Sequence, residues 1–360
     1  MLKIKILSMQ RVPNHGSFLQ SYALKKTLES LGGNVSFYDI KTGESNDAIS
    51  DNRKNELKYN NKREYILKRV KMRFAGKKQN RFFAEQLITY LNIDEKYCTE
   101  DACDLAVIGS DEVFNCVVPS KWGFTTQLFG DIPNAKKVIT YAASCGRTTV
   151  DSLNDYFFTK IKEAFTNVDA FSVRDINTYE FVNGIAEVTP QMHLDPVLIY
   201  NFDQEVIECP FKDPFVLVYS YTNRICNPIE VNEIKRFAKK NGLKIVCAGV
   251  FQYWCDYNIP VTSFQLLGYF KKASYVVTDT FHGTIMATKY ERQFVSLVRE
   301  SNKQKLEYLL ECLGLGAQQI ANMSQLEEII LNPIDYKAVS TILKSERRRT
   351  LSYLEQQMQD

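Results

Sequence analysis

The chain of 360 residues contains only three histidines, no Cys-x-x-Cys pair, no apolar run of membrane-spanning length and almost no net charge. Each scarcity narrows what the protein can be. Its 45 basic residues against 42 acidic ones leave a formal charge of +3, without the global field that nucleic-acid proteins use, so nucleic acid is not expected as a partner. No run reaches the ~18 apolar residues that a membrane span needs. The opening Leu2-Lys3-Ile4-Lys5-Ile6-Leu7 alternates as a strand does and lacks the apolar core and small-residue cleavage site of a signal peptide. A cytoplasmic protein is expected. The nine cysteines, scattered from Cys98 to Cys312, read as reduced and mostly buried thiols; their spacing fits neither a disulfide framework nor a zinc cluster, and no metal ligand is assigned.

What is present is enough for two cores. The length exceeds one ordinary domain, and 45% hydrophobic with 12% aromatic residues can fill two of them. The first forty residues read as strand Lys3 to Ser8, a loop through Pro13-Asn14-His15-Gly16, a helix from about Ser17 to Leu31 stopped by Gly32-Gly33, and strand Val35 to Ile40. Strands follow at Asp104 to Ile108, Lys137 to Ala143 and Asp169 to Val173, with a helix from Leu153 to Phe165. A second series starts after Pro210 and Pro214: strand Phe215 to Tyr219, helix Asn232 to Lys240, strand Leu243 to Ala248, helix Ser263 to Lys272, strand Tyr275 to Thr278, helix Gly283 to Tyr290, strand Phe294 to Val298. This alternation predicts an α/β protein of two doubly wound, Rossmann-like domains facing a cleft, meeting near residues 200 to 214. The expected division is 1–205, with a basic helical insertion over 43–82, then 206–335, then a C-terminal helix over 336–360.

The insertion differs in composition. From Arg53 to Arg81 it is crowded with Arg and Lys, and Ile66, Val70 and Phe74 fall on one helical face. One reading is a solvated helix packing that narrow stripe on its own domain; the other is a basic amphipathic element on an anionic leaflet, a peripheral contact with the inner face of the plasma membrane.

Three segments carry candidate chemistry. In Tyr275-Val276-Val277-Thr278-Asp279-Thr280-Phe281-His282-Gly283-Thr284 a strand runs into a polar turn. His282 then stands at a helix start, beside backbone N–H groups that can face an anion, with Gly283 allowing close backbone approach; a plain helix-capping histidine fits the same pattern. Arg174 ends a strand, and its planar fork can grip a carboxylate or phosphate, unless it only pairs with Asp175. Asp111 also follows an apolar strand, where a carboxylate can take a proton from a hydroxyl or simply fix the loop. Asn14 and Gly16 shape the first strand-to-helix turn, and Asp195 before Pro196 is expected to organise the interdomain region.

Taken in order, these segments resemble the polysaccharide pyruvyltransferase family. The residues that carry the resemblance are Asn14-His15-Gly16 with Leu19-Gln20 and Tyr22-Ala23-Leu24, Ile108-Gly109-Ser110-Asp111-Glu112-Val113-Phe114, Tyr141-Ala142-Ala143-Ser144, Ser172-Val173-Arg174-Asp175, Leu194-Asp195-Pro196-Val197-Leu198 and Asp279-Thr280-Phe281-His282-Gly283. Three positions depart from it: His15 where an aromatic is usual, Phe114 where Trp is common, and Thr280 where one branch has Arg. The resemblance implies transfer of the pyruvyl group of phosphoenolpyruvate onto two hydroxyls of a sugar in a surface polysaccharide or its lipid-linked precursor, forming a ketal, with no cofactor beyond the donor substrate. It implies a donor site of Arg174, His282, Gly283 and Thr284, with phosphoenolpyruvate on the C-terminal side. Asn14, Gly16 and Asp111 would serve the acceptor on the N-terminal side, with His282 and Asp111 as the catalytic pair. The alternatives from other classes are a glycosyltransferase using a nucleotide sugar and a non-catalytic module of a polysaccharide assembly complex.

Overall fold

The computed structural model describes residues 1–44, 62–94, 101–116, 121–222, 224–300 and 302–359, with side chains described from residue 72 onward in the long second helix. The expectations for 45–61 and for the side chains of Ile66, Lys68, Arg69, Val70 and Lys71 lie outside these residues. Contacts divide the chain into two compact units: 1–51, 86–200 and 341–360 form the first, and 52–85 with 201–340 the second. Two segments thus fall elsewhere than a linear reading assigns them. Most of the basic stretch clusters with the second unit, and the last twenty residues cluster with the first.

The first unit holds β1 (Lys3–Leu7), α1 (His15–Ser30), β2 (Asn34–Phe37), then, after α2 (Lys62–Gln86), β3 (Cys103–Asp111), β4 (Ala135–Ala143), α3 (Asp155–Phe165), β5 (Ser172–Val173), α4 (Ile176–Ala186), β6 (Gln191–Met192) and α5 (Pro196–Ile199). Its strands form one sheet in the order β2-β1-β3-β4-β5-β6, every pair parallel. Leu105 to Ile108 are all buried, as the central strand of a sheet covered on both faces requires. Helix α1 is buried from His15 through Lys25. It has no clear amphipathic stripe, because nearly all of its surface faces protein.

The second unit contains β7 (Phe215–Tyr219), α6 (Pro228–Lys240), β8 (Lys244–Ala248), β9 (Tyr257–Ile259), α7 (Ser263–Lys272), β10 (Tyr275–Thr278), α8 (Phe281–Lys289), β11 (Gln293–Leu297), α9 (Lys303–Cys312), β12 (Gln319–Ile320) and α10 (Leu326–Leu331). The sheet order is β12-β11-β10-β7-β8-β9, again parallel throughout. Helix α6 shows how the sequence sets the geometry. Asn227 caps it, Pro228 occupies its first turn, and Val231, Ile234, Phe237 and Ala238 form the buried stripe.

Helix α11 (Tyr336–Gln359) closes the chain. Its later turns pack on the first unit: Tyr353 donates to the Thr140 carbonyl at 2.9 Å, and its ring lies 4.8 Å from that of His193. On α2, Gln79 Nε2 donates to the Val261 carbonyl at 2.8 Å and its Oε1 accepts from the Val261 amide at 3.1 Å. Gln79, Phe83 and Gln86 are the buried positions there, whereas Phe74 is 69% exposed. The reading in which the Phe74 stripe packs on its own domain fails at Phe74, because the helix docks through another face.

Candidate functional site

Parallel order brings the carboxyl ends of the first unit's strands together, and four polar side chains meet there. Arg174 follows β5 with its side chain 2% exposed. Its Nη1 donates to Asp195 Oδ2 at 2.7 Å and to Ser110 Oγ at 3.2 Å, and Nη2 lies 3.7 Å from Asp111 Oδ1, longer than a hydrogen bond. Burial alone would disfavour the charge, but Asp195, then Asp111, Asp175 and Glu112, more than offset it and hold the guanidinium above its ordinary pKa. Asp175 adds to that field while holding another post. That carboxylate caps α4, accepting from Thr178 and from Ser144 Oγ.

Asp111 ends β3 with φ of 87°, a left-handed conformation that Asp tolerates better than most residues. Oδ1 accepts from the Glu112 amide at 2.9 Å, and Oδ2 accepts from Ser17 Oγ at 2.6 Å. Ser17 sits in the first turn of α1, which Asn14 starts by accepting from the Gly16 amide at 2.7 Å. Asn14 and Gly16 therefore build the turn that delivers Ser17 to Asp111. Asp195 fixes Arg174 and caps α5 through the Val197 amide.

The second unit has its own polar cluster at the ends of β7, β10 and β11. Asp279 is fully buried; Oδ2 accepts from Arg299 Nε at 2.8 Å, and Oδ1 has no hydrogen-bond partner among the described residues. Arg299 also forks onto Glu230 of α6, at 3.1 and 3.2 Å. Arg224 and Asn302 donate to the Asp279 carbonyl. This network fixes the residue just before the turn that carries His282. Thr280 caps α8 by accepting from the Gly283 amide at 2.9 Å, so capping is what this side chain does where a related branch has Arg. A Cβ on Gly283 would lie 2.1 Å from Thr278 Oγ1, and no side chain fits there. Thr284 is fully buried, its hydroxyl engaged with the Thr280 carbonyl and Ser296 Oγ. His282 is half-buried.

The structure thus brings Arg174, Asp111, Asn14 and Gly16 together in one unit, and His282, Gly283 and Thr284 in the other. Sequence reasoning missed Ser17, Ser110, Arg224, Glu230 and Arg299. Ser17 had a local signal, three residues past a capping Asn; Arg224, Ser110 and the Glu230–Arg299 pair each depend on a partner 55 to 69 residues away.

Residues 14–301 match the family model described as polysaccharide pyruvyl transferase. The chain belongs to that family. No curated protein matches it. Among solved structures, Arabidopsis thaliana UGT89C1 complexed with UDP-L-rhamnose has a TM-score of 0.52 at 10% identity, covering 99% of each chain. S. aureus MnaA with UDP gives 0.49 at 11% identity, over 95% of this chain and 91% of that one. A Thermobaculum terrenum O-GlcNAc transferase mutant gives 0.46 at 13%, over 100% of this chain and 66% of that one. The first likeness shows the fold alone: this polysaccharide pyruvyl transferase family member has the two Rossmann-like sheets of a GT-B-like protein. Its departure at Phe114 concerns packing, since that ring is fully buried and lies 5.3 Å from both Phe129 and Phe165.

Proposed function

We propose that this transferase-family protein moves the pyruvyl group of phosphoenolpyruvate onto two hydroxyls of a polysaccharide sugar. The observation that carries the proposal is the family match over residues 14–301. The geometry supports it with a permanently charged guanidinium and an oriented carboxylate 3.7 Å apart at the carboxyl edge of a parallel sheet, where such folds bind ligands.

The chemistry needs few groups. A proton adds to the methylene carbon of phosphoenolpyruvate, and one sugar hydroxyl attacks the carbon that becomes cationic, giving up its proton. Phosphate then leaves, and the second hydroxyl closes the ketal, its proton departing with the phosphate. In this proposal Arg174, held rigid by Asp195, offers the fixed charge for the donor's carboxylate or phosphate. Asp111 takes the acceptor proton and His282 delivers the methylene proton. Gly283 and Thr284 contribute by shaping the His282 turn. The acceptor is a polysaccharide or its lipid-linked precursor in a cytoplasmic reaction.

Ligand-induced stabilisation tests this directly. Phosphoenolpyruvate at about 100 times its Kd should stabilise the folded protein by about 2.7 kcal/mol, and UDP-sugars should not. Stabilisation by a nucleotide sugar with none by phosphoenolpyruvate would replace this reading with a glycosyltransferase.

A further inference from the structure

The basic helix α2 plays no part in the proposed chemistry, and its described half has an unusual surface. Turning about 100° per residue, Arg73, Phe74, Lys77, Lys78 and Arg81 fall within an arc of about 140°, opposite the arc of Gln79, Phe83 and Gln86. The latter three are buried, while the former five are all exposed. Phe74, at 69%, is the most exposed aromatic side chain among the described residues. Among the described side chains of α2, Glu85 is the one acid, and it pairs with Arg81 at 2.6 Å. Lys78 lies over the Phe82 ring, its Nζ 5.4 Å from the centroid.

An exposed aromatic ring set among cations suits one kind of partner. Protein interfaces are depleted in Lys, and Lys77 and Lys78 flank the ring here. Nucleic acid is disfavoured by a whole-chain charge of only +3. An anionic bilayer matches both features, taking an apolar side chain below its headgroups and cations at its phosphates.

We propose that this face of α2 docks the protein on an anionic lipid surface, with Phe74 inserted and Arg73, Lys77, Lys78 and Arg81 on the lipid phosphates. The opposite face stays anchored through the Gln79–Val261 hydrogen-bond pair, so docking needs no rearrangement of the helix. The proposal stands apart from the pyruvyl-transfer reading and does not depend on it.

Co-sedimentation of the full-length protein with vesicles of phosphatidylcholine, alone or with phosphatidylglycerol, tests the idea. Binding should require phosphatidylglycerol and should weaken as salt is raised, because screening shortens the reach of each charge. Each cation lost should lower partition about fivefold, so Arg73→Glu with Lys77→Glu should lower it at least about 25-fold. Phe74→Ala should lower it about tenfold in low salt, by removing the inserted ring. All three positions are exposed, and circular dichroism should show unchanged folding. Wild-type protein that ignores anionic vesicles at low salt, or variants that bind as wild type, would overturn the proposal. So would self-association in solution that Phe74→Ala abolishes, which would make a second copy the occupant.

Discussion

Replacing Asp195 by Asn should destabilise the first unit selectively, and the structure sets the size of the effect. Asp195 and Arg174 form an ion pair at 2.7 Å, with side-chain exposures of 0% and 2%. Asn keeps the shape and can still accept from the Val197 amide, which Asp195 Oδ1 now does at 3.0 Å. The other oxygen becomes an NH₂ donor facing a guanidinium donor. Removing one partner of a buried pair costs about 3–5 kcal/mol; Asp111, 3.7 Å from Nη2, offsets part of the exposed charge, which favours the lower end. With a urea m-value of about 1–3 kcal/mol/M, a loss of ~3 kcal/mol moves the midpoint by ~1–3 M. The chain's two tryptophans make the assay selective. Trp122 is buried in the first unit's core and Trp254 in the second's, so a Trp254→Phe background reports the first unit and Trp122→Phe the second. The Trp122 transition should move and the Trp254 transition should move less. Adding Arg174→Met to Asp195→Leu should recover most of the loss, since an apolar pair of similar volume replaces a buried ion pair nearly neutrally. An unchanged Trp122 midpoint, or equal shifts in both transitions, would refute the reasoning.

Two further predictions concern the same unit. Burial, and then Arg349, push the His193 imidazole down to about 4; between pH ~6.5 and that value the unfolded chain binds a proton that the folded one does not. Stability should therefore fall as pH drops through this window, by on the order of 3 kcal/mol in total, and His193→Gln should flatten that slope in urea titrations at a series of pH values. Ser17→Ala removes the 2.6 Å donor to Asp111 and should lower kcat about tenfold, the scale of a hydrogen bond to a charged group. The donor KM should change little and Ser17→Thr should recover much of the rate; a kcat unmoved by Ser17→Ala would make that bond structural only.

The fold was largely legible because its signals are local. Buried parallel strands such as Phe215–Tyr219 are unbroken apolar runs, and α7 (Ser263–Lys272) was bounded by a Thr262 cap with Gln265 three residues on. The strands that escaped, β6, β9 and β12, have only two or three residues and show no period. Helix α1 begins two residues before its expected start, since Asn14 supplies the cap. The candidate site was legible residue by residue and not as a network. Asp111, Arg174 and His282 each stand at a strand end or helix start, a local pattern. Ser17 reaches Asp111 across 94 positions and Arg299 reaches Glu230 across 69, pairings that only the sheet order creates. Phe74 misled for a related reason: its spacing marks an apolar stripe, but burial on α2 is decided by where Gln79 and Phe83 dock.

The central claim is pyruvyl transfer from phosphoenolpyruvate, and the most direct measurement is the product. Purified protein, phosphoenolpyruvate and an authentic glycan acceptor should release one phosphate for each acceptor that gains the mass of pyruvic acid less one water, as a ketal requires. His282→Ala should slow that release by about 10²- to 10⁴-fold, the scale of a lost proton-transfer catalyst. Phosphate release at the wild-type rate by His282→Ala would remove its assigned role. An acceptor that instead gains a sugar from a nucleotide donor, with phosphoenolpyruvate unconsumed, would contradict the account as a whole.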